Sequence, residues 1–350
     1  MGSDICLPIL QISLYAEGMK ILIIGGGGMV GQKLAHKLAL SGKLENQSIK
    51  ELILADAFAP PALSTTANFE VSLVTADITN ADIASSLITK MPDVIFHLAA
   101  VVSGEAEANF EKGYSVNLDG IRNILEAIRL TGNGYKPRLV FTSSVAVYGG
   151  PYPDVIDDDF QLQPRTSYGI QKAMSELLLN DYSRRGFVDG VGLRLPTICV
   201  RPGKPNKAAS GLFSNILREP LVGIEAVLPA SKSATNIFAS PRSAVGFLLN
   251  AATLDTAPLG DRRSMMMPGV WGTVGDEIDA LRRVAGDKIV ALIKHEPDPA
   301  VEKMLSNWNF PNFSTDRAKA LGFRCESTLD EIIQVHIDDE LGGKIPGLNT

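Results

Sequence analysis

An α/β fold, a doubly wound parallel sheet with a smaller C-terminal α/β substrate lobe, is predicted by three features of this 350-residue chain. Short apolar runs at 20–24, 52–55, 71–75, 94–98, 139–143 and 191–195 alternate with longer stretches of helical spacing. The runs are unbroken, as in strands covered by helices on both faces. After Leu195 the rhythm is lost and prolines gather at Pro196, Pro202, Pro205, Pro220 and Pro229. We therefore expect a sheet domain over 19–195, a lobe over 196–343 from which some segments return to the sheet, and a weakly tethered tail at 344–350.

Within the lobe, helical spacing predicts helices near 210–218, 242–252, 273–285, 298–306, 315–321 and 328–340. Apolar stretches at 264–267 and 288–293 predict two further strands. The opening MGSDICLPILQISLYAEG lacks a basic residue before its apolar run and a small-residue cleavage site, which argues against a signal peptide. It is also too short to span a bilayer. Residues 1–18 are read as a tag or disordered extension, with the natural chain beginning near Met19.

The formal net charge is −6, so no basic field invites nucleic acid or an anionic membrane. Cys6, Cys199 and Cys325 lie far apart and form no CxxC pair. A reducing cytoplasm and no structural metal are expected.

The run KILIIGGGGMVGQKLAHKL sets Gly25, Gly28 and Gly31 directly after a strand and at the opening of a helix, with Met29 and Val30 between them. Glycines here permit positive φ and let backbone N–H groups approach a pyrophosphate at the helix N-terminus. An ordinary tight turn is the plainer alternative. Its context favours a Rossmann-type dinucleotide site, because Asp56 then ends the second strand in ELILAD, where a carboxylate accepts from the ribose hydroxyls. No Lys or Arg follows between Ala57 and Phe69, so NAD is expected rather than NADP. Asp77 and Ile78 end the third strand and are placed at the adenine. In HLAA, Leu98, Ala99 and Ala100 allow close approach of the cofactor, while His97 is read as a packed strand-end residue.

The fifth strand, LVFTSSVAVYGG, brings Ser143 and Ser144 to the carboxyl end of the sheet, where open α/β sheets bind ligands. In TSYGIQK, Tyr168 and Lys172 share one helix face at i, i+4. An ammonium near a phenol favours the phenolate, as does the positive nicotinamide ring of a bound cofactor, so Tyr168 is expected to titrate below its free value of about 10. Taken singly, these side chains read as a strand-end hydroxyl and an aromatic cap.

In this order, the glycine loop, Asp56, HLAA, TSSVAVYG and YGIQK resemble the extended short-chain dehydrogenase/reductase family, from Met19 to about Gly203. The resemblance implies that Ser144 hydrogen-bonds the reacting oxygen, Tyr168 is the acid/base and Lys172 binds the nicotinamide ribose. It also implies that Asn117 supports the proton relay on the cofactor side, that Pro196 flanks the cofactor, and that helices at 107–131 and 166–186 pair in a homodimer. Where the family's sugar dehydratases carry Asp-Glu after the serine or threonine, this chain has Val145 and Ala146. The stretch Asn236 to Arg242 lacks the arginine and histidine usual in nucleotide-sugar enzymes.

Arg242 and Arg201 remain as forks for a carboxylate, with Ser103 as a contact for a substrate hydroxyl. Arg242 reads equally as a surface ion pair, Ser103 as a loop residue, and Glu105 and Glu107 as a solvated helix start. AAVVSGEAEANFEKGYSVNLDG, LRLPTICVRPG and NIFASPRSAV resemble the branch of the family that oxidises D-erythronate, a four-carbon sugar acid, at its C2 hydroxyl with NAD. The rival readings are a nucleotide-sugar epimerase with tightly held NAD and a non-catalytic NAD-binding sensor.

Overall fold

A computed structural model describes residues 18–203, 210–305 and 309–349. Residues 1–17, including Cys6, lie outside them. The sheet domain begins with β1 (Met19–Ile24), α1 (Met29–Ser41), β2 (Gln47–Asp56), β3 (Glu70–Thr75), α2 (Ala81–Ile88) and β4 (Val94–His97). It continues with α3 (Ser103–Ala108), α4 (Phe110–Tyr114), α5 (Gly120–Thr131), β5 (Arg138–Ser144), α6 (Ser167–Arg184) and β6 (Asp189–Leu195).

Then follow β7 (Thr197–Ile198), α7 (Gly211–Leu221), β8 (Thr235–Ala239), α8 (Pro241–Thr253), β9 (Ser264–Met266), β10 (Val270–Thr273) and α9 (Val274–Ala285). The chain closes with α10 (Asp287–Val290), α11 (Pro299–Leu305), α12 (Asp316–Ala320) and α13 (Leu329–Leu341).

The main sheet runs β3-β2-β1-β4-β5-β6-β9, and every pair along this path is parallel. Its order reverses between β1 and β4, which opens a crevice at the carboxyl ends of those strands. Alternate side chains of β1 explain the unbroken apolar runs. Ile21 and Ile23 pack with Leu34, Leu38, Phe247 and Leu248 of α1 and α8, whereas Leu22 and Ile24 pack with Leu87, Ile124 and Leu125 of α2 and α5. Helix starts carry their own signals: Thr166 accepts from Gly169 N at the head of α6, and Thr273 and Asp276 form a capping box on α9.

Beyond β6 the chain leaves the sheet, returns and leaves again. A small sheet, β10-β8-β7, carries the lobe, while α8 and β9 go back to the main domain, β9 as its seventh parallel strand. Phe213, Phe238, Leu281 and Ile333 centre the lobe's core.

Three expectations are corrected. The strand placed at 288–293 opens in α10 and passes through a turn, and extended backbone begins only at Ile293–His295. The helix expected over 107–131 is broken into α4, one turn of π-helix at Ser115–Asp119, and α5. The wide turn lets the Asn117 carbonyl accept from Ser175 Oγ of α6 at 3.0 Å. The tail is docked rather than frayed: Gly347 is buried so tightly that a Cβ there would meet the Pro220 carbonyl oxygen at 2.5 Å.

The lobe core also encloses a carboxyl. Glu277 of α9 is 1% exposed. One of its oxygens accepts from Cys199 Sγ at 3.7 Å, and the other has no partner among the described residues. Burial pushes Glu277 well above the ordinary carboxylate range, so the folded chain keeps it protonated while the unfolded chain ionises it. The unfolded state then binds fewer protons, and stability falls as pH rises past the ordinary carboxylate value, by up to about 1.4 kcal/mol per pH unit. Glu277→Gln is expected to raise Tm, with a gain over the parent chain that widens between pH 5 and pH 8. A gain independent of pH would show that the carboxyl is ionised in the fold.

Candidate active site

A cavity of about 350 Å3 opens in the crevice where the sheet order reverses, between the sheet domain and the lobe. The sheet domain contributes Gly25, Gly28, Met29, Val30 and Gly31 from the glycine loop, with Leu98 and Ala100 after β4. Gly25 has φ +88°, and a Cβ there would lie 2.6 Å from Ala99 N. A Cβ on Gly31 would meet the Gly25 carbonyl oxygen at 2.3 Å, so only glycine lets α1 start this close to the loop. Gly28 caps α1 without a side-chain hydrogen bond, leaving the first-turn amides free of a side-chain cap. Backbone donors and a bare helix terminus fit the pyrophosphate of NAD. Asp56 accepts from Gly27 N at 2.9 Å, which fixes its carboxylate at the end of β2 beside the loop.

Of the remaining residues expected at the cofactor, Pro196 lines the cavity. Ala99 lies behind its wall, where its N–H donates to the Ile24 carbonyl at 3.0 Å. Asp77 is exposed and accepts from Thr79 N at 3.0 Å, and Ile78 is buried against Gly120; neither lines the cavity. Asn117 is buried away from the wall. Its amide accepts from Val101 N at 2.8 Å and donates to the Val101 carbonyl at 3.0 Å and to Gln171 Oε1 at 2.7 Å, pinning the loop after β4 to α6. It supports the cavity and does not line it, a correction to its expected place among the cofactor contacts.

Ser144, Tyr168 and Lys172 do come together on the cavity wall. Ser144 ends β5, with its hydroxyl accepting from Ala146 N at 3.1 Å and hydrogen-bonded to the Tyr168 phenol. Lys172 is 1% exposed. Its ammonium donates to the Thr142 carbonyl at 2.7 Å, 5.7 Å from the centre of the Tyr168 ring and 4.7 Å from that of Phe141. Burial brings Lys172 down to about 7, against an opposing pull from Glu176.

The chain's own groups set Tyr168 in the opposite direction to the one expected with the ammonium and the nicotinamide ring together. Burial raises it, while the bond with Ser144 and the positive charge of Arg201 act in the lowering direction. An arginine from the lobe thus acts on the phenol, in addition to the Lys172 ammonium on its own helix. His97 behaves as expected: fully buried, tilted against Phe141 at 5.8 Å, and held neutral by burial with its pKa near 3.

The lobe closes the cavity with Arg201, Ser214, Arg218, Asn236 and Phe310, opposite Ser103. Arg201 donates to the Ile198 carbonyl at 3.1 Å and to Ser210 Oγ at 2.6 Å. Among the described residues no carboxylate lies within ion-pair distance of it. Burial and the like charge of Arg218 depress its pKa. Arg218 in turn holds the Arg201 carbonyl at 2.8 Å and pairs with Glu219.

Arg242 is elsewhere. It sits half-exposed at the head of α8 and pairs with Asp339 of α13 at 2.6 Å, so the surface reading of this residue is correct and the carboxylate reading is not. Glu107, read as solvated, accepts from Ser167 N at 2.9 Å at the start of α6.

Sequence reasoning missed Arg218, and it singled out Asn236 only as a departure from a pattern. Asn236 Oδ1 is taken up by Thr197 Oγ1 at 3.1 Å and Ile237 N at 2.8 Å, which leaves the amide nitrogen for the cavity. A buried asparagine at the start of a strand was the available signal.

A dinucleotide cradle facing a hydroxyl, phenol and ammonium is the equipment of an NAD-dependent oxidoreductase, here of the extended short-chain dehydrogenase/reductase type. Residues 21–232 match the NAD dependent epimerase/dehydratase family, and the chain belongs to that family. It is 46% identical to the D-erythronate dehydrogenase of Cupriavidus necator, over 92% of this chain and 98% of that one. Against the D-erythronate dehydrogenase of Haemophilus influenzae it is 41% identical, over 92% of this chain and 100% of the relative. A solved structure described as the nucleoside-diphosphate-sugar epimerase from Agrobacterium tumefaciens superposes with a TM-score of 0.91. That protein is 55% identical, with 94% of this chain and 96% of that one covered.

No helix among the described residues is long and apolar enough to cross a membrane.

Proposed function

We propose that this chain oxidises the C2 hydroxyl of a small sugar acid, D-erythronate or a similar four-carbon aldonate, to the 2-keto acid. The observation that carries this reading is Arg201: a largely buried guanidinium on the cavity wall, close enough to influence Tyr168 and without a carboxylate partner among the described residues. A buried cation in that position favours a substrate that brings its own negative charge. The printed activity of the two curated relatives supports the same reading.

In this account Arg201 holds the substrate carboxylate, which sets C2 and its hydroxyl before Ser144 and Tyr168. Ser144 hydrogen-bonds the reacting oxygen, and Tyr168 as phenolate takes the hydroxyl proton. Lys172 donates to the nicotinamide ribose, its charge favouring the phenolate as the carbonyl forms. NAD, when bound, supplies the acceptor for the hydride that leaves C2. Asn236 and Ser103 are left as contacts for the remaining hydroxyls. D-Erythronate deuterated at C2 should pass its deuterium to NADH. Unlabelled NADH from that substrate would place the oxidation at another carbon.

The second reading is a nucleotide-sugar epimerase, favoured by the printed description of the Agrobacterium neighbour. It would interconvert a nucleotide sugar without net release of NADH. We also propose a homodimer and a cytoplasmic setting. Ile170, Met174 and Leu177 form an exposed apolar stripe on α6, and Phe110 is exposed on the neighbouring α4, where a second copy would cover them.

A further inference from the structure

Behind Lys172, away from the cavity, lies a buried charge cluster that the reaction as proposed does not use. Glu176 is 1% exposed and stands one turn beyond Lys172 on α6, which itself stands one turn beyond Tyr168. Arg194 of β6 grips its carboxylate at two points, with Nη2 at 2.8 Å and Nε at 3.1 Å, and Ser143 of β5 donates to it at 2.5 Å. The same guanidinium donates to Tyr148 Oη at 2.8 Å and lies 3.7 Å from Asp158. Burying such a cluster is costly, and in a fold with an ample apolar core its retention calls for a reason beyond stability.

The reason is in what faces Lys172. The ammonium donates to the Thr142 carbonyl of β5 and lies by the rings of Phe141 and Tyr168, within electrostatic reach of the uncharged His97 at the end of β4 and of Glu176 on its own helix. Glu176 is the carboxylate that favours its charged form, and Arg194 and Ser143 both hydrogen-bond that carboxylate. Ser143 also precedes Ser144 on the strand, so the carboxylate whose charge acts on the ammonium is hydrogen-bonded to the strand end that bears the reacting hydroxyl.

We propose that Glu176, clamped by Arg194 and Ser143, is a positioning residue for proton transfer: it keeps Lys172 charged beside Tyr168 and holds the end of β5 against α6. This rests on the catalytic reading of Tyr168 and Lys172 given above, and not on the identity of the alcohol.

The test is titration of the Lys172 ammonium by 15N NMR in the full chain, assigned by its loss in Lys172→Met, and repeated in Glu176→Gln, Glu176→Asp and Ser143→Ala. The expected result is a downward displacement of about one pH unit in Glu176→Gln, a smaller one in Glu176→Asp, whose carboxylate is retained one methylene further back, and none in Ser143→Ala. If Glu176→Gln does not fold, Glu176→Asp decides alone. Unchanged Lys172 titration in the folded variants, with only thermal stability lowered, would reduce Glu176 to a structural ion pair and overturn the proposal. Absence of sugar-acid turnover in the parent chain would overturn the substrate reading and leave this titration intact.

Discussion

Tyr168→Phe is expected to lower kcat for oxidation by about 10²- to 10⁴-fold, the usual worth of a positioned acid or base, while leaving NAD affinity within a few-fold. The substitution removes one oxygen from a ring that is otherwise locked between Ser144 and Lys172, so folding and the glycine cradle should persist. The parent chain should also show oxidation that speeds up with rising pH. Burial holds Tyr168 above its free value, and the form that accepts a proton is the phenolate. Activity unchanged in Tyr168→Phe, measured as kcat under saturating substrate, would remove the proton-transfer role whatever the alcohol.

Arg201→Met is expected to lower kcat/KM for a sugar acid by about 100-fold, since charge-assisted hydrogen bonds contribute roughly 1.5–3 kcal/mol. The loss should fall mainly on KM, with kcat declining further as the pH rise in rate moves upward. Arg201 is one of the groups that lower Tyr168, so its removal raises the phenol. Arg201 also ties its own loop to Ile198 and Ser210, and the neutral amide of the same acid separates the two effects. A loosened loop harms both substrates, whereas loss of the carboxylate fork harms only the acid. Arg242→Met, at a residue paired with Asp339 on the surface, should leave kcat/KM unaltered.

Much of this site was legible because its signals are local. The GxxGxxG spacing after β1, the acid ending β2 and the i, i+4 pair on α6 each depend on a few consecutive residues whose backbone state their own chemistry fixes. Six of the seven helices described after β6 were legible for the same reason. Periodicity and caps such as Thr273 with Asp276 act within one or two turns.

What was not legible depends on distances the chain does not record. The sequence put Arg242 ahead of Arg201 as the carboxylate fork, and the return of α8 to the main domain carries Arg242 away from the cavity. The expected fall in the Tyr168 pKa considered a neighbour on the same helix and the nicotinamide ring and left out burial, the largest influence among the chain's own groups once lobe and sheet close over the ring. The break in the helix through Asn117 depends on Ser175, 58 residues further on. Glu176 and Arg194 are 18 residues apart, on a helix and a strand that meet only when the sheet forms. At 288–293 the periodicity of a short apolar run fits a strand as well as a buried helical turn, and one turn of helix won.

The central claim is net oxidation of a free sugar acid, and absorbance of NADH tests it most directly. Purified protein with NAD should produce NADH from D-erythronate or a close four- to six-carbon aldonate, and none from UDP-glucose or UDP-galactose. Silence with every acid, together with interconversion of a nucleotide sugar without net NADH, would contradict the account.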